Sequence, residues 1–143
     1  EETKKEDAGD GCSLRRIQNG EAADRSVISE YHAVASNHAW YLLRKENYKL
    51  IYYLDGPNEL YDVVTDPLES NDLAGLPEHA ERLRSMESEL RTFLDPEATD
   101  QEAKASQAAI IEQYGGREAV MNLGTFINSP TPGENAEFLQ EEK

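Results

Sequence analysis

The chain has 143 residues, of which 38% are hydrophobic and 30% are charged, and its formal net charge at pH 7 is −15. A chain this acidic repels the phosphate backbone of nucleic acids and anionic membrane surfaces, which excludes both as expected partners. No apolar run approaches the roughly 18 residues that a membrane-spanning helix needs. The single cysteine excludes an internal disulfide.

The first 25 residues are polar and carry turn signals at Asp10-Gly11 and Asn19-Gly20. We interpret residues 1–25 as a linker with one short helical or irregular piece around Ser13–Gln18. The chain starts at Glu1 rather than at a methionine, so we expect a processed chain or a fragment of a longer protein, and the fragment is the simpler expectation.

Strand signals follow the linker. Val27–Tyr31 mixes β-branched and aromatic residues, and it is the first predicted strand. Trp40–Lys45 and Tyr48–Leu54 flank Glu46-Asn47, a two-residue hairpin connection in which asparagine accepts left-handed dihedral angles. Glu59–Val64 is the fourth strand. Short connections between four strands predict an antiparallel meander, and the third strand is apolar on both faces, so we expect both to be covered.

The apolar period becomes helical at Pro77, a residue that suits the first position of a helix. The predicted apolar stripe of this helix comprises Ala80, Leu83, Met86, Leu90, Phe93 and Leu94. We expect Asp95-Pro96 to end it, because the residue before a proline disfavours helical dihedral angles. Thr99 and Glu102 form a capping box, which predicts the start of a second helix that ends at Gly115-Gly116.

The second helix carries mostly small apolar residues, among them Ala105 and Ala108, so its burial against the domain stabilises little. It either packs across another subunit or a larger body, or it lies loosely on the surface. A third short helix is predicted over Arg117–Leu123, followed by an extended tail.

Two segments of the strand region together resemble a known family. One reads YKLIYY over Tyr48–Tyr53, and the other reads ELYDVVTDPLESNDLA over Glu59–Ala74. In this order, after the basic Arg44-Lys45, they resemble the C-terminal subdomain of sulfatases, the sulfate-ester hydrolases of the alkaline phosphatase superfamily. Glu46 stands where the family usually has a turn glycine, which indicates a different hairpin geometry in this chain.

Four further pieces extend the resemblance. Asp10–Leu14, which reads DGCSL, resembles the segment that precedes this subdomain in the family. The other three resemble one branch of the family, which includes choline-sulfatase-like and phosphonate-monoesterase-like members. They are Ser29–Ala33, which reads SEYHA, the run from Asp95 to Ala105, and Tyr114–Glu118. Each piece is short, but together they extend the resemblance over most of the chain.

The resemblance implies a catalytic chemistry whose residues we do not find in this chain. The family's nucleophile is a formylglycine made from the Cys or Ser of a C-x-[PA]-S-R motif, and its divalent cation is usually calcium. Cys12–Arg16 places Cys and Arg four residues apart, but it lacks the small or proline third residue and the serine fourth, so we reject it as that motif. We therefore expect no catalytic residue, metal site or cofactor here, and we assign calcium and formylglycine to the parent enzyme.

The acidic residues are dispersed, and the densest set comprises Asp62, Asp66, Glu69 and Asp72. No Asp-x-Asp-x-Asp-Gly calcium loop is present, so we expect these side chains to form turns and caps. The three histidines have neither the mutual spacing nor the cysteine partners of a zinc site.

His32 and His38 are the two candidate substrate-binding residues. They flank the predicted loop Ala33–Asn37 between the first two strands, which could bring them to the pocket of a catalytic domain. A histidine titrates near neutral pH and could donate a hydrogen bond to the leaving group of a substrate there. The alternative is that both histidines pack at the seam between subdomains.

The sequence as a whole predicts an α+β fold, with a four-stranded antiparallel sheet packed by a C-terminal helix, then a helical extension and an extended tail. We expect residues 1–25 to link a missing N-terminal catalytic domain to a sulfatase C-terminal subdomain at residues 26–95. Residues 96–143 would make oligomer or interdomain contacts.

The expected function is that of a C-terminal piece of a sulfate-ester hydrolase without its nucleophile and metal site. The alternatives are a non-catalytic acidic interaction or oligomerisation module, and the same subdomain of a phosphonate or phosphate ester hydrolase. The compartment stays open.

Overall fold

The computed structural model describes residues 13–21, 25–32, 38–126 and 138–139. The predictions that concern Cys12, the loop 33–37 and the rest of the tail lie outside these residues. The chain divides into two compact units, Glu1–Glu97 and Ala98–Lys143. The domain limits that the sequence predicts stay predictions.

The first unit contains a sheet of four strands in chain order. They are β1 (Val27–Tyr31), β2 (Trp40–Lys45), β3 (Tyr48–Tyr53) and β4 (Glu59–Asp62), each antiparallel to the next. The predicted meander and α+β class are confirmed. The fourth strand ends earlier than predicted because the Asp62 carboxylate accepts hydrogen bonds from the backbone N–H groups of Val64 and Thr65, which turns the chain.

A helix packs against one face of this sheet. In the register of the sheet, Leu43, Leu50 and Leu60 lie side by side across β2, β3 and β4. A 3-10 turn at Pro77–His79 leads into α2 (Ala80–Phe93), and Met86 and Leu90 of α2 join the leucines in one buried cluster. All five side chains are at most 1% exposed. Phe93, by contrast, is 56% exposed, so its place in the predicted apolar stripe is wrong.

A buried hydrogen bond joins the sheet to the start of the next helix. The Tyr41 hydroxyl donates to the Pro96 carbonyl oxygen at 2.7 Å. Pro96 is the first residue of α3 (Pro96–Gln113), so Thr99 and Glu102 lie inside this helix, and the predicted capping-box start is wrong. Pro96 suits the first helical position for the same reason as Pro77. The first turn of a helix leaves its N–H groups without an intrahelical partner, so the missing N–H of a proline costs nothing there.

The β2–β3 hairpin places its strained residue at an unexpected position. Glu46 has a φ of 50°, whereas Asn47 is not among the residues with positive φ. The prediction that the asparagine supplies the left-handed conformation is therefore wrong. The Arg44 guanidinium donates to the carbonyl oxygens of Glu46 and Tyr48, and these bonds hold the turn.

The remaining elements are short apart from α3. The helix α1 covers Leu14–Gln18, and α4 covers Arg117–Asn122 after a glycine pair whose φ angles are 90° and 88°. These positive angles confirm the predicted helix stop. β5 (Thr125–Phe126) pairs with β6 (Phe138–Leu139), a ladder too short to leave a periodic signal in the sequence. The proposed contact role of residues 96–143 stays a prediction.

Neighbouring residues of β3 offer a test of the one-sided packing. Leu50 is fully buried under α2, and Ile51 points to the opposite face. We expect Leu50→Ala to lower the free energy of unfolding by about 2–5 kcal/mol, because it leaves a cavity in the core. Ile51→Ala should lower it by about 1 kcal/mol or less, because Ile51 is only half-buried and lies outside the core cluster. Urea unfolding followed by circular dichroism measures both; equal losses would contradict a core on one face only.

Candidate functional site: the open face of the sheet

The face of the sheet opposite α2 is rich in aromatic and aliphatic side chains. We call it the open face, and we define it by Tyr31, Trp40, Leu42, Arg44, Lys49, Ile51, Tyr53, Glu59 and Tyr61, which share one side because strand side chains alternate. All nine residues are half-buried, and none belongs to the core cluster beneath α2. Among the residues that the structure describes, the core cluster beneath α2 therefore lies on one side of the sheet, and the residues of the other side are half-buried.

An aromatic pair marks one end of the open face. Tyr31 and Trp40 are direct partners in the β1–β2 register, and their rings stack with centroids 5.2 Å apart and planes 18° from parallel. Tyr53 is the partner of Trp40 on β3, so the aromatic row crosses three strands. Offset aromatic pairs of this kind add specific contact energy to their burial.

Two tyrosines of the open face interact with one carboxylate, that of Glu59. The Tyr61 hydroxyl donates to a Glu59 carboxylate oxygen at 3.1 Å. Partial burial and this hydrogen bond to Glu59 raise the pKa of Tyr61 to about 12. Burial, followed by the charge of Glu59, also raises the pKa of Tyr53. Both phenols therefore stay protonated at neutral pH and satisfy the one acidic group on this face.

The basic residues of the open face have partners within the chain. Lys49 forms an ion pair with Glu69, and its ammonium lies 5.6 Å from the centroid of the Tyr61 ring. Arg44 binds the hairpin carbonyls described above. The charges on this face are thus engaged locally, which lowers the cost of burying them against another surface.

The acidic side chains of the segment after β4 accept hydrogen bonds from the backbone and so hold its turns. The Asp62 carboxylate accepts hydrogen bonds from the backbone of its own turn. The bond from the Thr65 N–H is the largest of the effects that lower the pKa of Asp62. Asp66 accepts from the backbone N–H and the side-chain amide of Asn71. Asp72 accepts from the backbone N–H groups of Leu60 and Ala74, each at 2.9 Å. These bonds are the turn chemistry that the sequence predicts.

A second polar cluster lies at the C-terminal end of α2. The Arg91 guanidinium donates two hydrogen bonds to Glu97, at 2.8 and 2.7 Å, and a third to the Tyr52 hydroxyl at 2.7 Å. The bonds from Arg91 lower the pKa of Glu97 to about 2. The bond to Glu97 in turn raises the pKa of Arg91 above its ordinary value. This fork fixes α2 to β3 and to the first turn of α3.

The Glu89 carboxylate binds the start of β1 and the end of β2. It accepts a hydrogen bond from the Ser26 hydroxyl, and both of its oxygens accept from the Lys45 ammonium, each at 2.9 Å. Burial raises the pKa of Glu89, but the bonds to Ser26 and Lys45 outweigh it and lower the pKa overall.

The two histidine candidates lie at the end of the sheet that carries the aromatic pair. His32 follows β1, its ring meets the Tyr41 ring edge-on at 5.4 Å, and its Nε2 is 3.5 Å from the Glu30 carboxylate. His38 precedes β2 and bonds Asp55 through Nδ1 at 2.6 Å. The structure thus gives each histidine partners of its own, Glu30 and Tyr41 for His32 and Asp55 for His38. Their role toward a substrate stays a prediction.

The described residues offer no metal centre. Across residues 13–21, 25–32, 38–126 and 138–139, no group of three or more His, Cys, Asp or Glu side chains is arranged to hold a metal ion. In the same ranges no helix is long and apolar enough to cross a membrane.

The alternation in β3 predicts the open face, and the expectation that both faces of this strand are covered stays a prediction for this side. Sequence reasoning missed the row of Tyr31, Trp40 and Tyr53, although the strand limits and the hairpin fix that row. The signal is present in the sequence, because counting outward from the two-residue turn aligns Trp40 with Tyr53.

Similarity to known proteins is consistent with this architecture. The chain is 32% identical over 111 residues to the choline-sulfatase of Rhizobium meliloti (strain 1021), an alignment that covers 78% of the chain and 21% of that protein. A crystal structure of a protein from Bacteroides thetaiotaomicron VPI-5482 assigned to the sulfatases is similar to 61% of the chain, with a TM-score of 0.52 and 29% identity. A 2-O GAG sulfatase is similar to 59% of it, with a TM-score of 0.50 and 30% identity.

The extent of these similarities is uneven. They cover most of this chain but only 21%, 20% and 19% of the respective relatives, so the chain spans about a fifth of their length. No family model matches the chain.

Substitution of Asp72 tests the hydrogen bond that it accepts from the backbone of β4. Asp72→Ala leaves the N–H of buried Leu60 without its acceptor, so we expect a loss of about 1–3 kcal/mol in the free energy of unfolding. Asp72→Asn keeps an acceptor oxygen and should restore most of that loss. Glu81→Ala, on the exposed side of α2, controls for the removal of one negative charge. Urea unfolding compares the three variants; a loss in Asp72→Asn as large as in Asp72→Ala would argue that charge, not the hydrogen bond, matters.

Glu97 provides a pH dependence with a defined sign. Its pKa in the folded chain is about 2, below the ordinary value of 4.5, so the carboxylate stabilises the fold above about 4.5 and loses this effect as the pH falls toward 2. We expect Glu97→Gln to be less stable than the unmodified chain at neutral pH and equally stable near pH 2. Thermal unfolding across this range measures the difference; a gap that stays constant with pH would show that Arg91 does not depend on the charge of Glu97.

Proposed function

The chain belongs to the sulfatase family, of which it represents a C-terminal region, and we propose that it serves as the C-terminal subdomain of a hydrolase that cleaves sulfate esters. The observation that carries this proposal is the 32% identity to a choline-sulfatase across 78% of the chain. The two sulfatase structures support it through the fold, with TM-scores of 0.52 and 0.50 over 61% and 59% of the chain.

The proposal assigns the chemistry and the scaffold to different parts of the enzyme. The acidic side chains around Asp62 and Asp72 are occupied by backbone N–H groups, so the described residues do not fit a calcium site. Cys12, outside the described residues, lies in a stretch that lacks the formylglycine motif. We therefore assign the formylglycine nucleophile and the calcium ion to residues of the complete enzyme beyond this chain, and we derive no catalytic step here.

The substrate class is limited to the sulfate ester itself. The names of the relatives point to different alcohol parts, choline in one and a GAG in another. Within this proposal His32 and His38 remain the candidates for a contact with the leaving group. Their placement at one end of the sheet, on either side of the connection between β1 and β2, supports such a role, since both lie at the same edge of the subdomain.

The first test is on the gene. We expect the reading frame upstream of Glu1 to encode a C-x-[PA]-S-R motif, which a free-standing interaction module would not need. A start codon directly before Glu1 would contradict the proposal and favour the module.

The second test is enzymatic. The complete polypeptide should hydrolyse an aryl sulfate in the presence of calcium, and the 143-residue chain alone should not. Aryl phosphonate and aryl phosphate esters serve as matched substrates, because the related hydrolases differ in the atom that is attacked. Turnover by the isolated chain would place the chemistry within it, and a clear preference for phosphonate or phosphate would replace the sulfatase assignment with one of those hydrolases.

A further inference from the structure

An Asn-Gly pair lies in an exposed turn at the end of the first helix. Asn19 directly follows α1, and Gly20 comes next with a φ of 77°. Residues 13–21 are all exposed, and a Cβ atom placed on Gly20 would meet no other atom within 4 Å. The Asn19 side chain and the Gly20 backbone nitrogen therefore lie in a surface turn with room to rearrange.

An asparagine side chain in front of glycine can react with its own main chain. The Gly20 nitrogen loses its proton and bonds to Cγ of Asn19, the Cγ–Nδ2 bond breaks, and ammonia leaves with a proton taken from water. Water then adds to either carbonyl carbon of the cyclic imide, which opens to aspartate or to isoaspartate. Glycine favours ring closure because it has no Cβ to hinder the nitrogen and because its backbone adopts a wide range of dihedral angles.

The other asparagines that the structure describes are placed less favourably. Each precedes a residue that carries a side chain. In chain order they are Asn47, Asn58, Asn71 and Asn122, before Tyr48, Glu59, Asp72 and Leu123. Two of their side-chain amides are also held, since Asn58 donates to Glu87 at 2.6 Å and Asn71 donates to Asp66 at 3.2 Å. These contacts oppose the rotation that ring closure requires.

Two backbone hydrogen bonds hold the Asn-Gly turn in the folded chain. The Gly20 N–H donates to the Ile17 carbonyl oxygen, and the Glu21 N–H donates to the Arg16 carbonyl oxygen, each at 3.0 Å. Because the reaction removes the Gly20 proton, the first of these bonds must open before the ring can close. α1 has five residues and buries none of them, so this end of the helix has little stability of its own and opens readily.

We propose that Asn19 is a site of spontaneous deamidation, gated by the opening of the C-terminal end of α1, and that the conversion unwinds this end. The new carboxylate lies beside Glu21, whose carboxylate oxygen is 3.5 Å from the Asn19 amide nitrogen, so an attraction becomes a repulsion. A negative charge at the C-terminal end of a helix is also unfavourable. In isoaspartate the main chain gains a methylene group, so the two backbone bonds of the turn no longer fit.

The conversion would change the predicted linker at residues 1–25. It adds a negative charge to a chain whose formal net charge is already −15. Because water is its only co-reactant, it needs no other part of the enzyme and does not depend on the proposed function.

Peptide mapping by mass spectrometry, after increasing times in neutral buffer, tests the proposal on the 143-residue chain. We expect the peptide with Asn19 to show the mass gain of deamidation, as aspartate and isoaspartate forms, before the peptides with Asn58 or Asn71. Incubation in guanidinium chloride should speed the conversion, because no hydrogen bond then holds the Gly20 N–H. Asn19 that stays unchanged in the folded chain, or that converts after Asn58 or Asn71, would overturn the proposal. Equal rates with and without denaturant would overturn the gate.

Three variants identify the reacting groups. Asn19→Gln moves the amide one methylene further from the Gly20 nitrogen, so conversion at this position should be lost. Asn71→Gln is the matched control and should leave the conversion of Asn19 unchanged. Gly20→Ala adds a Cβ beside the reacting nitrogen and should slow the conversion even in guanidinium chloride, where the helix end plays no part. An unchanged rate for Gly20→Ala in denaturant would overturn the role of the Gly20 nitrogen.

Nuclear magnetic resonance tests the structural consequence. After conversion, the Cα chemical shifts of Arg16 and Ile17 should move to random-coil values, whereas those of Met86 and Leu90 in the core should not move. Helical shifts at Arg16 and Ile17 in the fully converted chain would overturn the unwinding of α1.

Discussion

The burial of one sheet face beneath α2 is the interaction on which the rest of this structure depends. Leu43, Leu50 and Leu60 contact Met86 and Leu90, and each fully buried side chain of this size stabilises the fold by about 1.5–3 kcal/mol. The chain is acidic and poor in apolar residues, so this one layer holds most of its core. Within the first unit, hydrogen bonds of Arg91 and Glu89 from the helix and of Asp72 at the outer edge of the sheet hold the margins of this layer.

Much of this arrangement could be predicted from the sequence because its signals are local. Alternation indicated the strands, a three- and four-residue period indicated α2, and the acidic turn residues predicted their own backbone bonds. The failures have local causes as well. Thr99 and Glu102 look like a helix start, but Pro96 begins the helix first, and Glu46 rather than Asn47 adopts the left-handed turn conformation. Phe93 follows the helical period, yet its side chain is exposed.

The site was less predictable than the fold. The polar pairings join residues on different elements, so no spacing in the sequence predicts them. Examples are Arg91 with Glu97 and Tyr52, and Lys49 with Glu69. The two histidines are candidates because of their chemistry and their place beside a loop, and the structure shows separate partners for each. What the sequence did contain is the resemblance to sulfatases. The structure adds to it a half-buried face of the sheet opposite α2 and the backbone bonds that engage Asp62, Asp66 and Asp72. Under the proposed function, the reacting groups of the enzyme lie beyond this chain.

The central claim is that, among the described residues, α2 packs on one side of the sheet only. Methyl-based nuclear Overhauser measurements on the 143-residue protein, combined with a soluble paramagnetic relaxation agent, test it most directly. We expect contacts from the Leu43 and Leu50 methyl groups to Met86 and Leu90, with little effect of the agent on them. We expect stronger relaxation of the Leu42 and Ile51 methyl groups and no contacts from them to α2. Contacts between Ile51 and α2, or protection of Leu42 equal to that of Leu43, would contradict this claim.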